Sequence, residues 1–402
     1  MQREFDIIIW GASGFTGKLV TQYMAQAYGK SNLTWAIAGR SQAKLDAVKS
    51  SAGADSTQVI IADAHNPEEL AALVQRTRVI LTTVGPYARY GSELVEACAQ
   101  HGTHYCDLTG EVHWMQKMIS AHSQAAEASG AKIVHTCGFD SIPSDLGVYF
   151  LQREMRNQHG VPAKEIKYRT KAFKGGFSGG TIDSMMAMME AAKDDPSIMK
   201  IIQDPYALNS EYRGSDGLDS NAHYYDKDFD AWVGPFVMAG INTRVVRRSN
   251  ELLGLRYGSD FQYGEGTITG VGLSGQFSAA ALGFGTASMN AMSAFEPTRK
   301  LMQNFLPKPG EGPDEKTIET GFFEIALHAR HPDDESLNLR ATVKGDKDPG
   351  YGSTAKMLAE SAVCLAQDDL PVKGGFWTPA SAMGDALLER LPANAGVTFT
   401  LD

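Results

Sequence analysis

The chain of 402 residues, 43% hydrophobic and 21% charged, has the composition of a globular protein and room for two or three domains at roughly 100–200 residues each. Its formal charge of −10 excludes the basic footprint on which nucleic-acid binders depend. The four cysteines, Cys98, Cys106, Cys137 and Cys364, form no C-x-x-C pair, which excludes the common zinc spacings and a disulfide framework. His101 and His104 beside Cys106 lack a fourth ligand, so no metal is expected.

The first element is FDIIIWGASGFTGKLV, residues 5–20, in which an apolar run meets Gly11, Gly14 and Gly17 before a helix pattern begins. Strand-like runs follow at 34–39, 57–63, 78–84, 104–107 and 132–137. Helical stretches separate them. In NPEELAALVQ, Asn66 can cap, Pro67 suits the first turn, and Glu68 and Glu69 meet the positive helix end. This alternation predicts an α/β fold over residues 1–160, a doubly wound parallel sheet of Rossmann type with helices on both faces.

From residue 165 the pattern changes: EIKYRTKAF alternates like a half-exposed strand, and GGFSGGTIDSMMAMMEAA reads as a glycine loop feeding a helix. Residues 161–345 are expected to form an α+β domain for substrate binding or oligomerisation. Helix signals return within 346–402, in STAKMLAESAVCLAQ and ASAMGDALLERL. Residues 267–295 carry no charged side chain. Five glycines, Gln276, Asn290 and many hydroxyls make this a poor bilayer span, which needs about 20 predominantly apolar residues. Core, a subunit interface, or an apolar pocket shared with Met185, Met186, Met188 and Met189 are the alternatives.

After a buried strand, Gly11 permits the tight turn, Gly14 lets the backbone approach a pyrophosphate, and Gly17 lets helix and strand pack closely. The helix N-terminus adds free N–H groups and a positive dipole end. Ser13, Phe15 and Thr16 complete this cofactor-binding turn, two of them with hydroxyl donors. The second strand ends in AIAGRSQAKL. Where an NAD enzyme places a carboxylate for the ribose, this chain has Arg40, with Ser41 and Lys44 close behind. A guanidinium there can fork onto a 2′-phosphate and stack on adenine, so NADP(H) is the expected cofactor; a solvated surface arginine is the alternative. Asp63 suits either the adenine amino group or a helix cap.

Loops at strand C-termini line the ligand crevice of such sheets. VGPYARYG, residues 84–91, therefore puts Val84, Gly85 and Pro86 along the nicotinamide ribose. Tyr87 is placed at the ring or substrate, unless it is a packing group. HYCDLTGE and CGFDSIPSDLG bring Asp107, Thr109, Glu111, Asp140, Ser141 and Asp145 to the same crevice. Asp140 and Ser141 equally suit capping the helix that Pro143 begins. The Tyr-x-x-x-Lys pair of short-chain dehydrogenases is absent.

In this order, GASGFTG, AGR, VGPYARYGSELVEACAQHGTHYCDLTGE and CGFDSIPSDLG resemble the saccharopine-dehydrogenase-like oxidoreductases. GEGPDE, DPGYGSTAKMLAESAVCLA and GGFWTPASAMGDALLERL are similar to the branch holding the trans-acting enoyl reductases of polyketide-lipid synthesis. The resemblance covers nearly the whole chain and is weakest around 195–265. It implies a Rossmann domain, an inserted α+β domain, and C-terminal helices returning to the Rossmann domain. It implies NADPH-dependent reduction of an enoyl thioester or related lipid intermediate, small or carrier-linked. There, hydride adds at the β carbon and the enolate oxygen needs a donor, for which Tyr87 is the first candidate; no general acid is assigned. Two other readings are an oxidoreductase at a C–N bond, drawing on Arg169, Arg244 and Arg256, and a non-catalytic NADPH-binding protein associated with lipid. A cytoplasmic location, peripheral membrane or lipid contact and a homodimer complete the expectations.

Overall fold

The apolar run at residue 5 becomes β1 (Phe5–Trp10), a strand buried on both faces: Ile7 and Ile9 join one core, Ile8 and Trp10 the other. Such a run belongs at the centre of a parallel sheet covered on both sides. The computed structural model describes residues 3–176, 179–219, 222–294, 298 and 311–402. Within them follow β2 (Trp35–Gly39), β3 (Gln58–Ile61), β4 (Thr77–Thr82), β5 (His104–Cys106), β6 (Lys132–Val134), β7 (Glu165–Lys174) and β8 (Tyr224–Asp226). The remaining strands are β9 (Ala231–Gly234), β10 (Gln262–Gly270), β11 (Phe322–Arg330), β12 (Leu339–Gly345), β13 (Gly375–Trp377) and β14 (Val397–Leu401).

The first sheet runs β13-β6-β5-β4-β1-β2-β3, all parallel. The winding reverses between β1 and β4, which opens the crevice where doubly wound sheets bind ligands. Helices Phe15–Tyr28 and Thr354–Gln367 cover the Ile7 and Ile9 face; Pro67–Val74, Ser92–His101 and Val112–Ser129 cover the other. The second sheet runs β14-β12-β11-β7-β10-β9-β8, with β7 and β10 parallel and the neighbouring pairs antiparallel. Helices Ile142–His159 and Ala239–Leu252 lie between the sheets, where Leu146, Leu151 and Val246 share one core with Ile325, Leu327 and Val343.

The C-terminal segment serves both sheets. Its helices pack on the first domain and β13 extends that sheet, but β14 pairs with β12 in the second. The C-terminal helices return to the first domain as expected, and the short alternating run VTFTL adds an edge strand to the second sheet. Glu360 holds the returning helix in place. Fully buried, it accepts hydrogen bonds from Tyr23 and Tyr28, each at 2.6 Å, and from Asn394 Nδ2 at 3.2 Å, with Arg390 3.6 Å away.

The uncharged stretch completes β10 and then forms the helix Gly272–Ala294; Phe295 lies outside the described residues. The helix buries a seam of small residues, Gly275, Ala279 and Gly283, and lies close over Gly234 of β9. Its outer side faces solvent, with Leu273 85%, Phe277 76% and Phe284 77% exposed. Met186 is buried and Met188 and Met189 half-buried, while the Met185 side chain lies outside what is described. No described helix is long and apolar enough to cross a membrane.

Replacing Glu360 by Ala takes the carboxylate acceptor from two half-buried phenols, leaving Tyr23 only Asn394 O at 3.3 Å, and should lower stability by about 2 kcal/mol. Chemical denaturation checks this; an unchanged midpoint would show that apolar packing alone fastens the C-terminal helix.

Candidate active site

Gly11 adopts φ +86°, its N–H donates to Ala38 O at 3.0 Å, and its carbonyl accepts from Gly14 N–H at 2.9 Å and Thr83 Oγ1 at 3.2 Å. A β-carbon on Gly11 would lie 2.4 Å from Val84 Cγ2, so its absence lets the loop after β4 rest on the turn. A β-carbon on Gly17 would lie 2.2 Å from Gly11 O, which leaves no space for a side chain where helix and strand part. Gly14 differs: it is exposed, and a β-carbon there would meet only Gly11 O, at 3.3 Å. No side chain caps helix Phe15–Tyr28, and its first turn holds no acidic residue. This open cradle of free N–H groups at a positive helix end fits a pyrophosphate. Ser13 and Thr16 are half-buried beside it. Phe15 packs edge-on to Tyr351 at 5.1 Å and against Gly312, tying the loop to the C-terminal segment.

At the end of β2, Arg40 and Lys44 are exposed, and neither side chain has a hydrogen-bond or ion-pair partner among the described residues. Ser41 caps helix Gln42–Ala52, its Oγ accepting from Lys44 N–H at 3.5 Å. Asp63 accepts from His65 N–H at 2.9 Å and shapes the turn; the cap of the next helix is Asn66.

Along the crevice floor Gly85 is exposed, Val84 half-buried and Pro86 buried. Tyr87 lies under this floor, 3% exposed, its hydroxyl donating to Thr82 O at 3.2 Å and accepting from Leu108 N–H at 3.4 Å. Its ring meets Trp114 at 5.4 Å, and burial together with the nearby Asp107 pushes the phenol far above its usual range. Glu111 anchors the same loop from below, accepting from Tyr87 N–H at 2.8 Å and Ala88 N–H at 2.9 Å. Burial raises the Glu111 carboxyl, and these N–H groups with the Ser184 hydroxyl oppose the rise. Asp107, fully buried, takes Tyr105 Oη at 2.9 Å, His135 Nδ1 at 2.7 Å, and the N–H groups of Thr109 and Thr136, each at 3.1 Å. It ties the end of β5 to the end of β6. His135 went unnoticed in the sequence, where a polar residue at the end of an apolar strand was its one signal.

Asp140 stands apart from these anchored carboxylates. It is half-buried where the loops meet, its Oδ2 3.8 Å from the space above Gly110, and it accepts no hydrogen bond from any described residue. Burial raises its pKa to about 7. Neither Asp140 nor Ser141 caps the following helix through its side chain. Ser141 Oγ instead meets Asp140 O and Asn242 Oδ1, the latter at 3.1 Å. Asn242 Nδ2 then donates to Glu265 at 2.9 Å, so the floor is joined to the second domain. Asp145 lies behind the crevice, accepting from Ser249 Oγ and from Ala380 N–H.

The second domain borders the Gly85 loop through helix Gly179–Asp194. Its Ser184 Oγ stands 3.4 Å from where a β-carbon on Gly85 would be, and its Glu190 pairs with Arg89 at 3.1 Å. Of the cations available to an amino-acid carboxylate, Arg169 is buried and paired with Asp226, Arg244 is buried and paired with Asp219, and Arg256 is exposed.

Residues 7–134 match the family model described as the saccharopine dehydrogenase NADP binding domain. A Mycobacterium tuberculosis protein named a candidate trans-acting enoyl reductase is 40% identical over 412 residues, covering 99% of this chain and 97% of its own. The chain belongs to the saccharopine-dehydrogenase-like family, in its trans-acting enoyl reductase branch. A trans-acting enoyl reductase of the same species is 37% identical over 414 residues, covering 99% of this chain and 98% of its own. Saccharopine dehydrogenase (L-Glu forming) from Saccharomyces cerevisiae shares the fold, with a TM-score of 0.59 at 10% identity over 99% of each chain. The first domain of this saccharopine-dehydrogenase-like protein is thus the family's NADP-binding domain.

The glycines separate cofactor binding from folding. Gly14→Val should fold normally and lose NADPH binding, whereas Gly17→Ala should lower the melting temperature because its β-carbon meets backbone. Calorimetric titration and thermal melts check both; a folded Gly14→Val variant with unimpaired NADPH binding would place the pyrophosphate elsewhere.

Proposed function

We propose that the protein is an NADPH-dependent enoyl reductase that saturates the α,β double bond of an acyl thioester, small or carrier-linked. The observation that carries this reading is the unpartnered Asp140 carboxyl at the crevice, with a pKa of about 7, on the same sheet end as the open Gly14 cradle. When bound, the nicotinamide supplies the hydride. The uncapped N–H groups after Gly14 hold the pyrophosphate, Arg40 and Lys44 receive the 2′-phosphate, and Val84 to Pro86 border the nicotinamide ribose.

Saturating the double bond also requires a proton at the α carbon. Asp140 is the group suited to deliver it, because a pKa near the working pH keeps the acid populated and its conjugate base weak enough to release the proton. Tyr87 would have to give up Thr82 O to reach a substrate oxygen, so its part is to hold the floor together with Glu111 and Asp107. The names of the relatives support the enoyl substrate. The neutralised Arg169 and Arg244 count against an amino-acid substrate at a C–N bond.

Arg40→Asp should weaken NADPH binding by about tenfold or more and leave NADH binding little changed, since a carboxylate repels the phosphate that the guanidinium attracted. Equal affinity of the parent protein for the two cofactors, by calorimetry, would remove this assignment.

Asp140→Asn should lower turnover of an enoyl thioester by about 100-fold. The parent rate should fall as pH rises through about 7, where the acid form is lost, and the variant should lack that limb. The stability effect has its own sign. A carboxyl raised in the folded state, from 3.8 to about 7, contributes its full stability only below the lower value, where both states are protonated, and loses it progressively until pH has risen through about 7. Asp140→Asn should therefore melt higher than the parent at pH 8, roughly one unit above that value. A variant with full activity and the parent pH profile would exclude Asp140 as the acid.

A further inference from the structure

Helix Gly272–Ala294 carries a repeating pattern on its solvent side that its own fold leaves unused. Leu273, Phe277, Ala280, Phe284, Ala287 and Ala291 recur at alternating steps of four and three residues, the seam spacing of helices that pair along their length. Leu273, Phe277 and Phe284 are 76–85% exposed, Ala287 and Ala291 are exposed, and Ala280 is half-buried. The seam that fixes the helix to its own sheet, Gly275, Ala279 and Gly283, lies on a different side. The order of large and small residues along the outer stripe is not arbitrary. If the helix is laid antiparallel on a copy of itself about a two-fold axis at position 282, Leu273 faces Ala291, Phe277 faces Ala287 and Phe284 faces Ala280. Every large side chain meets an alanine of the other copy.

We propose that this stripe is the interface of a homodimer, two copies pairing these helices antiparallel about position 282. An isologous contact must be self-complementary, and this sequence is so in size at each position. At about 200 Å² for a large side chain, the exposures above give on the order of 600 Å² per copy with the alanines included. Two copies would bury about 1,200 Å², the size at which stable interfaces begin. A lipid surface is a poorer occupant. Helices that lie in membranes set Lys and Arg on their polar flank to meet anionic headgroups; residues 267–294 hold none, and a lipid surface gives no reason for a heptad register.

The full-length protein is examined by analytical ultracentrifugation at micromolar concentration. The parent should sediment as a dimer, and Phe277→Glu with Phe284→Glu as a monomer with unchanged circular dichroism and NADPH affinity. Phe277→Ala should weaken the dimer by about tenfold or more, as expected on removing a central aromatic anchor. Adding Ala287→Phe to that variant should restore affinity, because the large residue returns to the same contact from the opposite helix. A monomeric parent overturns the proposal. So does a double variant no tighter than Phe277→Ala alone, which would mean generic stickiness without this register. Flotation of a monomeric parent with phosphatidylcholine vesicles, abolished by the two glutamates, would likewise overturn it in favour of a lipid-facing helix.

Discussion

The carbonyl of Gly11 is approached from three sides at once, by Gly14 N–H, by Thr83 Oγ1, and by the α-carbon face of Gly17, where no side chain fits. That crowding fixes the direction in which the first helix leaves the sheet. It also leaves the helix N-terminus bare, because the N-cap is Gly14, which has no side chain to accept from the free N–H groups. The uncovered N–H groups would be a defect at an ordinary helix end. At the switch point of a parallel sheet they form a site for an anion. The loop after β4 depends on the same contact, since Val84 occupies the space that Gly11 leaves free.

Three carboxyls placed by the strand-end loops show how environment divides roles among chemically equal groups. Asp107 is saturated with donors from two strand ends and a histidine ring, and so acts as a fastening. Glu111 spends both oxygens on the backbone of the Tyr87 loop. Asp140 is half-buried and without donors among the described residues, the combination that raises a carboxyl toward neutrality.

Much of this was readable in the residues. Successive apolar residues in FDIIIW require burial on both faces, and the glycine spacing, weak by itself, gained its meaning from the strand before it, the helix after it and the βα units that follow. The rest depended on contacts that no local pattern encodes. Whether Tyr87 points into the crevice is decided by the carbonyl of Thr82 and the N–H of Leu108, and whether Asp140 caps a helix by what surrounds it. β14 was hidden because a five-residue edge strand follows strong helix signals. The uncharged stretch stayed open between core, interface and pocket for a subtler reason. Glycine and alanine give a helix a narrow buried seam, and absence of charge does not reveal which side of the helix is covered.

The two domains are joined by buried polar contacts that leave little freedom between them. Asp145 accepts from Ala380 N–H at 2.8 Å and from Ser249, and Arg248, 4% exposed, donates to Leu208 O and to Phe376 O of the first sheet. Breaking such a set leaves unpaired groups in the interior, each costing about 1–3 kcal/mol. Helix Gly179–Asp194, by contrast, is tied to the loop after β4 by an exposed Arg89–Glu190 pair, a kind of contact worth about 0–1 kcal/mol, and by the Ser184 hydroxyl at Glu111. If a bulky acyl group is to enter, the element that gives way is therefore this helix, rather than a hinge between domains. The floor carrying Asp140, fastened through Ser141 and Asn242 to Glu265, can stay in place while this helix moves.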